Sequence, residues 1–324
     1  MGCGAAGRIE GSSVRPVTAH AQLGALHTSD GVALEAAHHP GPEPGGDLAV
    51  VLAHGFTGAL DRPHLRRAAG VLSRYAPVIT FSFRGHGGSG GRSTVGDREV
   101  LDLEAAIAWA RELGYRRIVS MGFSMGGSVV LRHAALERER RAGELRDEGE
   151  QRDQGAEGAQ GAEGDQGRAG HRGHEGCEGR AGGARIVAVV SVSAPARWFY
   201  RGTAPMRRLH WMVLRPEGRI VGRLGFGTRI HSRHWDPVPP SPVESVPHIA
   251  PTPLLLVHGD RDPYFPLDHP RMLAAAAGAN AELWVEPGMG HAENAAPDAT
   301  LARVGEWILR AAARDRDGPE PEPK

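Results

Sequence analysis

The segment Arg117-Ile-Val-Ser-Met-Gly-Phe-Ser124-Met-Gly-Gly-Ser-Val-Val-Leu131 changes character at its centre. Arg117 to Met121 is a short, mainly apolar run that reads as a strand. From Met125 the pattern predicts a helix to about Arg140. Between them stands Gly122-Phe123-Ser124-Met125-Gly126. A serine at a strand-to-helix junction sits on a tight, strained turn that lifts its hydroxyl out of the sheet, where a base can reach it. Gly122 and Gly126 fit that turn because side chains there would collide with neighbouring backbone. The helix aims its free N–H groups and positive dipole end at the same place. Ser124 is the candidate nucleophile.

The flanking chain alternates in the same way. Leu23 to His27 and Val32 to His38 flank Thr28-Ser29-Asp30-Gly31, a good hairpin turn. Strands are predicted at Leu48 to Ala53, Val78 to Phe83, Ile186 to Ser191, Leu254 to Val257 and Ala281 to Val285. Leu48 to Ala53 is a continuous apolar run, as in a strand buried on both faces. Helices are predicted at Pro63 to Tyr75, Asp97 to Leu113, Leu267 to Ala277 and Asp298 to Ala313. Strand–helix alternation of this kind argues for a parallel sheet with helices on both faces.

Four further motifs follow predicted strands. His54-Gly55-Phe56-Thr57-Gly58 comes after Leu48 to Ala53. Acyl transfer needs donors aimed at the developing oxyanion. The backbone N–H groups of Met125 and Phe56 are the candidates, and His54 reads as a brace for its loop. Arg84-Gly-His86-Gly-Gly-Ser89-Gly fits no phosphate-binding pattern and reads as a structural loop near the site, with Ser89 and His86 as lesser candidates. His258-Gly-Asp260-Arg-Asp262-Pro263 offers two carboxylates, either of which could orient an imidazole by chemistry alone. Pro287-Gly-Met-Gly290-His291 puts a histidine directly after the last strand, where it can reach back over the sheet to Ser124.

All five motifs, in this order, resemble those of the α/β-hydrolase superfamily, and within it the monoacylglycerol-lipase-like and serine-aminopeptidase-like branch. The resemblance implies a mostly parallel central sheet flanked by helices, with a cap insertion. It selects Asp262 as the acid and leaves Asp260 as a turn residue. The implied activity is a serine hydrolase acting on a carboxylic ester or related acyl bond through Ser124, His291 and Asp262, with no cofactor and no metal. An acyltransferase or peptidase with the same triad, or a non-catalytic binding protein on this fold, are the rival readings. Dehalogenase and epoxide hydrolase relatives carry Asp where this chain has Ser124.

The expected map is a flexible leader over 1–19, core over 20–137, a disordered insertion over 138–183, a core strand over 184–193, a cap over 194–249, core over 250–314 and a disordered tail over 315–324. The insertion is Gly-, Glu- and Arg-rich with almost no apolar anchors. Its His171, His174 and Cys177 read as chance neighbours rather than a metal site. The cap segment holds nine arginines against Glu217, Asp236 and Glu244, with aromatic residues interleaved. An anionic or lipid-like acyl substrate and a plain solvated surface both remain open there. Lys plus Arg and Asp plus Glu each number 38. That balance argues against a nucleic-acid partner. Cys3 and Cys177 cannot build a disulfide framework, no secretory signal or transmembrane run is visible, and a cytoplasmic setting is expected. Position 6 is Ala6, which breaks the myristoylation pattern at Gly2.

Overall fold

The computed structural model describes residues 21–42, 45–159 and 185–317. These form an eight-stranded sheet from β1 (Gln22–His27), β2 (Ala33–His39), β3 (Leu48–Ala53), β4 (Val78–Phe81), β5 (Arg117–Phe123), β6 (Arg185–Val192), β7 (Leu254–Gly259) and β8 (Ala281–Glu286). The helices are α1 (Pro63–Leu72), α2 (Glu99–Glu112), α3 (Met125–Ala159), α4 (Ala204–Leu214), α5 (Pro216–Phe226), α6 (Pro242–Ser245), α7 (Asp268–Ala277), α8 (Ala292–Ala295) and α9 (Asp298–Asp317). The predicted elements are all present, with ends moved by a few residues. β5 runs two residues further than expected, so the first half of the Gly122–Gly126 motif is itself strand.

Strand order is β1-β2-β4-β3-β5-β6-β7-β8. β2 runs antiparallel to both its neighbours, and every other pairing is parallel. From β3 the chain forms β4 on one side, then crosses to form β5 on the other. The order reverses at β3, and ligands bind at such switch points, beyond the carboxyl ends of the strands. The loop after β3 carries Gly55 and Phe56, and the turn after β5 carries Ser124.

Two apolar cores flank the sheet. Val50 and Leu52 of β3 pack with α1 and α9, while Ala49, Val51 and Ala53 face the side covered by α2, α3 and α7. That two-sided burial explains why β3 is continuously apolar.

Three expectations need correction. α3 does not stop near Arg140 but continues to Ala159, so 138–159 is helix rather than the start of an irregular insertion. Glu137 pairs with Arg140 at 2.9 Å and Arg141 at 2.8 Å, and Arg140 also pairs with Glu144. Such i,i+3 and i,i+4 pairs carry the helix past Arg140 without apolar anchors, in a stretch rich in Arg, Glu and Ala that also holds Gly143, Gly149, Gly155 and Gly158. Residues 160–183 and the leader 1–19 lie outside the described residues, and so do His171, His174, Cys177 and Cys3. Residues 315–317 continue α9, where Asp315 pairs with Arg185 at 2.5 Å. The stretch 194–249, the expected cap, where no helix is predicted, contains α4 and α5, each of 11 residues. Thr203 caps α4 and also donates its hydroxyl to the Tyr264 carbonyl at 2.9 Å, tying this segment to the loop after β7. Among the described residues no helix is long and apolar enough to cross a membrane.

Candidate active site

The turn after β5 is as tight as its glycines require. A Cβ on Gly122 would stand 2.2 Å from the Gly126 carbonyl oxygen, and one on Gly126 would stand 2.5 Å from that of His54. Ser124 between them has φ 50°, in the left-handed region that costs a non-glycine residue energy.

Three loops bring their side chains together there. Asp262, after β7, accepts from His291 Nδ1 at 2.7 Å. His291, after β8, accepts from the Ser124 hydroxyl through Nε2 at 2.9 Å. The Asp262 side chain has no exposed surface, and its other oxygen accepts the N–H groups of Tyr264 at 2.8 Å and Phe265 at 3.1 Å. Burial alone would raise its pKa. The hydrogen bond and charge of His291, with help from the Tyr264 N–H and His258, hold it below the ordinary carboxylate value. An ionised Asp262 is acceptor-only, which fixes the His291 proton on Nδ1 and leaves Nε2 open toward Ser124. Asp260 instead accepts the Gly288 N–H at 2.6 Å, a turn contact.

The N–H groups of Phe56 and Met125 donate to no other group among the described residues, and both residues line a cavity with Ser124. His54 is fully buried with both nitrogens in use: Nδ1 donates to the Gly55 carbonyl at 2.7 Å, and Nε2 accepts the Phe83 N–H at 3.0 Å. Burial holds its pKa down to about 3. It therefore braces the loop after β3 in a neutral state. Ser89 bonds to the Ser82 carbonyl at 2.6 Å, and His86 packs edge-on against His54 and Phe56. His86 thus packs against the loop after β3, Ser89 ties its own loop to Ser82 and to Glu35 of β2, and neither lines the cavity beside Ser124.

Two residues escaped the sequence reading. Glu293 is buried, and its Oε1 accepts the Gly55 N–H at 2.9 Å. It therefore couples the His291 loop to the loop bearing Phe56. Tyr264 stacks on the His291 ring, with centroids 4.3 Å apart and planes 29° apart. A single carboxylate and a single tyrosine carry no spacing signal. Only proximity to Asp262 and His291 in the sequence could have pointed to them.

Two cavities meet at Ser124. One, of about 270 Å3, reaches Phe56, Met125, Trp198, Leu214, Arg219 and Trp235. The other, of about 480 Å3, lies on the His291 side and includes Glu293, Tyr264, Arg208 and Trp211. Residues of 194–249 contribute walls to both.

A family model described as the alpha/beta hydrolase family matches residues 50–304. The chain belongs to that family. No curated protein matches the sequence. Among solved structures, this hydrolase is similar to an esterase of Pyrococcus furiosus, at 22% identity and TM-score 0.60, over 94% of this chain and 95% of that one. It is similar to Est1E of Butyrivibrio proteoclasticus, solved with ferulic acid bound, at 17% identity and TM-score 0.52, over 89% and 99% of the two chains. A putative aryl esterase of Burkholderia cenocepacia aligns at 17% identity and TM-score 0.56, over 90% and 100%. At these identities the likeness is one of fold.

Proposed function

We propose that this hydrolase is a serine esterase in which Ser124 is the nucleophile, His291 the general base and acid, and Asp262 the orienting carboxylate. The observation that carries the reading is the unbroken line Asp262–His291–Ser124, with links of 2.7 and 2.9 Å. Each member comes from a different strand end, so local sequence does not force the alignment.

His291 Nε2 takes the Ser124 proton as Oγ attacks the ester carbonyl carbon. The carbonyl electron pair moves onto oxygen, where the free N–H groups of Phe56 and Met125 hold the charge. Collapse expels the alkoxide, which takes the proton from His291. Water, deprotonated by His291, then attacks the acyl-enzyme, and as the second tetrahedral intermediate collapses Ser124 Oγ leaves, takes the proton back from His291 and releases the acid. Asp262 stays ionised throughout and stabilises the imidazolium. In this reading residues 194–249 act as a cap that sets which esters enter. The fold neighbours named as esterases support an ester over an amide substrate.

Ser124→Ala tests the assignment. Hydrolysis of 4-nitrophenyl esters from two to twelve carbons should fall by roughly 10⁴-fold or more, with the circular dichroism spectrum unchanged. Turnover that survives in a folded Ser124→Ala variant would remove the nucleophile from this account.

A further inference from the structure

The two cavities at Ser124 differ in charge. The leaving oxygen must take its proton from His291, so the alcohol departs through the 480 Å3 cavity, which contains His291. The 270 Å3 cavity does not, and it receives the acyl group. Its walls are mostly apolar and aromatic, with the Trp198 and Trp235 rings 5.2 Å apart in T-shaped contact. Three arginines also line it: Arg197, Arg219 and Arg233. No Asp or Glu stands among the described residues that line it.

Arg197 is already paired, with Asp268 at 3.2 Å. Arg219 donates only through Nη1, to the Val213 and Leu214 carbonyls at 3.2 and 3.3 Å. Among the described residues no carboxylate lies within ion-pair distance of Arg219 or Arg233. Of the three carboxylates of 194–249, Glu244 is held in the Ser241 cap of α6 at 2.6 and 2.7 Å, and neither Glu217 nor Asp236 lines the cavity. Residues 194–249 carry nine arginines against three carboxylates in a chain whose charges balance overall. A cleft lined by one sign of charge between low-dielectric walls concentrates ligands of the opposite sign. A guanidinium with donors to spare is the side chain best shaped to hold a carboxylate.

Resting on the serine-esterase reading above, we propose that the acyl group this site accepts has an apolar middle and a terminal carboxylate, so that the substrate is a half-ester of a dicarboxylic acid. Arg219 and Arg233 receive the free carboxylate while the Trp198 and Trp235 walls enclose the spacer. An apolar cavity of about 150 Å3 admits one benzene ring, so 270 Å3 takes a dicarboxylic acyl chain of roughly six carbons, counting both carboxyl carbons.

The test compares 4-nitrophenyl hexanoate with the 4-nitrophenyl half-ester of adipic acid. The two acyl chains have six carbons and differ at the far end. We expect wild-type kcat/KM to favour the half-ester by at least 10-fold at low salt, and the preference to shrink in 0.5 M NaCl. In Arg219→Gln/Arg233→Gln the ratio of the two kcat/KM values should fall at least 10-fold. That ratio is unaffected by a general loss of active protein. A wild type that labels with a fluorophosphonate yet turns over the half-ester no faster than hexanoate overturns the proposal and leaves the esterase reading intact. A wild type that neither labels nor hydrolyses either ester overturns both. If the double variant does not fold, the wild-type ratio and its salt dependence still decide.

Discussion

Backbone strain collects around Ser124. Six non-glycine residues among those described have positive φ, and five of them, Thr57, Val95, Ser124, Phe199 and Ala292, line the two cavities. Thr57 and Val95 are β-branched, for which such angles are least favourable. Strain of this sort persists only where the surroundings over-determine it, and here the surroundings are identifiable. The Glu99 carboxylate, fully buried, accepts from the N–H groups of Thr94, Val95 and Gly96 and from the hydroxyls of Ser93 and Thr94, which fixes the wall containing Val95. Glu293 does the same for the loop after β3. Glu293→Ala should release the Gly55 N–H and let the Phe56 donor drift, lowering kcat about 10-fold with little change in KM. Glu293→Gln keeps an acceptor oxygen and should retain most of the rate. Steady-state kinetics on one nitrophenyl ester distinguishes the two. Ser124 and His291 stood out because each sits in a short motif after a strand, whereas the motif after β7 offered Asp260 and Asp262 alike and only the family resemblance chose between them. Glu293 was not legible, because its partner Gly55 is 238 positions away and only the fold joins them.

Among the elements, the loop after β4 shows how a buried charge can organise backbone. The Arg84 Nε and N–H both bond to Asp102 of α2 at 2.8 Å, and its remaining nitrogens bond to Asp30 at 2.8 and 2.9 Å. Asp102 has no exposed surface and Arg84 only 3%. This cluster ties the β1–β2 turn, α2 and the loop after β4 together, and that loop holds His86 against the Phe56 ring. Removing one partner leaves the other buried and uncompensated. Asp102→Ala should therefore cost about 3 kcal/mol in urea unfolding, with Arg84→Met of similar size. A loss under 1 kcal/mol would mean that water replaces the missing partner. The strand-rich elements were readable because apolar runs mark strands buried on both faces. The length of α3 was not, because beyond Arg140 it is held by charge pairs such as Glu137–Arg141 rather than by apolar spacing. The helices of 194–249 carried signals that the arginine-rich composition obscured: Thr203 as a cap, Pro216 at the first position of α5 and Gly227, φ 70°, at its end.

For the protein as a single folding unit, buried imidazoles set the response to acid. Burial lowers the pKa of His54 to about 3 and that of His86 to about 4. Unfolding returns both to water, where they take protons near 6.5. The unfolded chain thus binds more protons than the folded one between those limits, so stability falls as pH drops below about 6.5. Asp102 opposes this, since burial raises its carboxyl to about 6 against the pull of Arg84. Burial also lowers the pKa of His269 to about 4, and with it the net loss between pH 7 and pH 5 should be about 4 kcal/mol, read from urea midpoints at the two values. A midpoint that does not move, or that rises in acid, would mean these histidines are protonated in the folded state. The mostly parallel sheet flanked by helices was legible in the strand pattern, and the loops that meet at Ser124 were marked by their motifs, whereas the strand order and the switch at β3 come from the structure. So does the shape of the acyl cavity, because its walls come from separate turns, 93–95, 197–200 and 230–235, whose meeting depends on packing.

The activated serine is best examined by treating the folded protein with a fluorophosphonate and mapping the adduct by mass spectrometry, beside Ser124→Ala and Asp262→Asn. One adduct is expected on the wild type, on the peptide containing Ser124, none in Ser124→Ala, and labelling slowed by at least 100-fold in Asp262→Asn, where the imidazole loses its orienting charge. An adduct on another residue, or equal labelling of the wild type and Ser124→Ala, would contradict Ser124 as the activated serine.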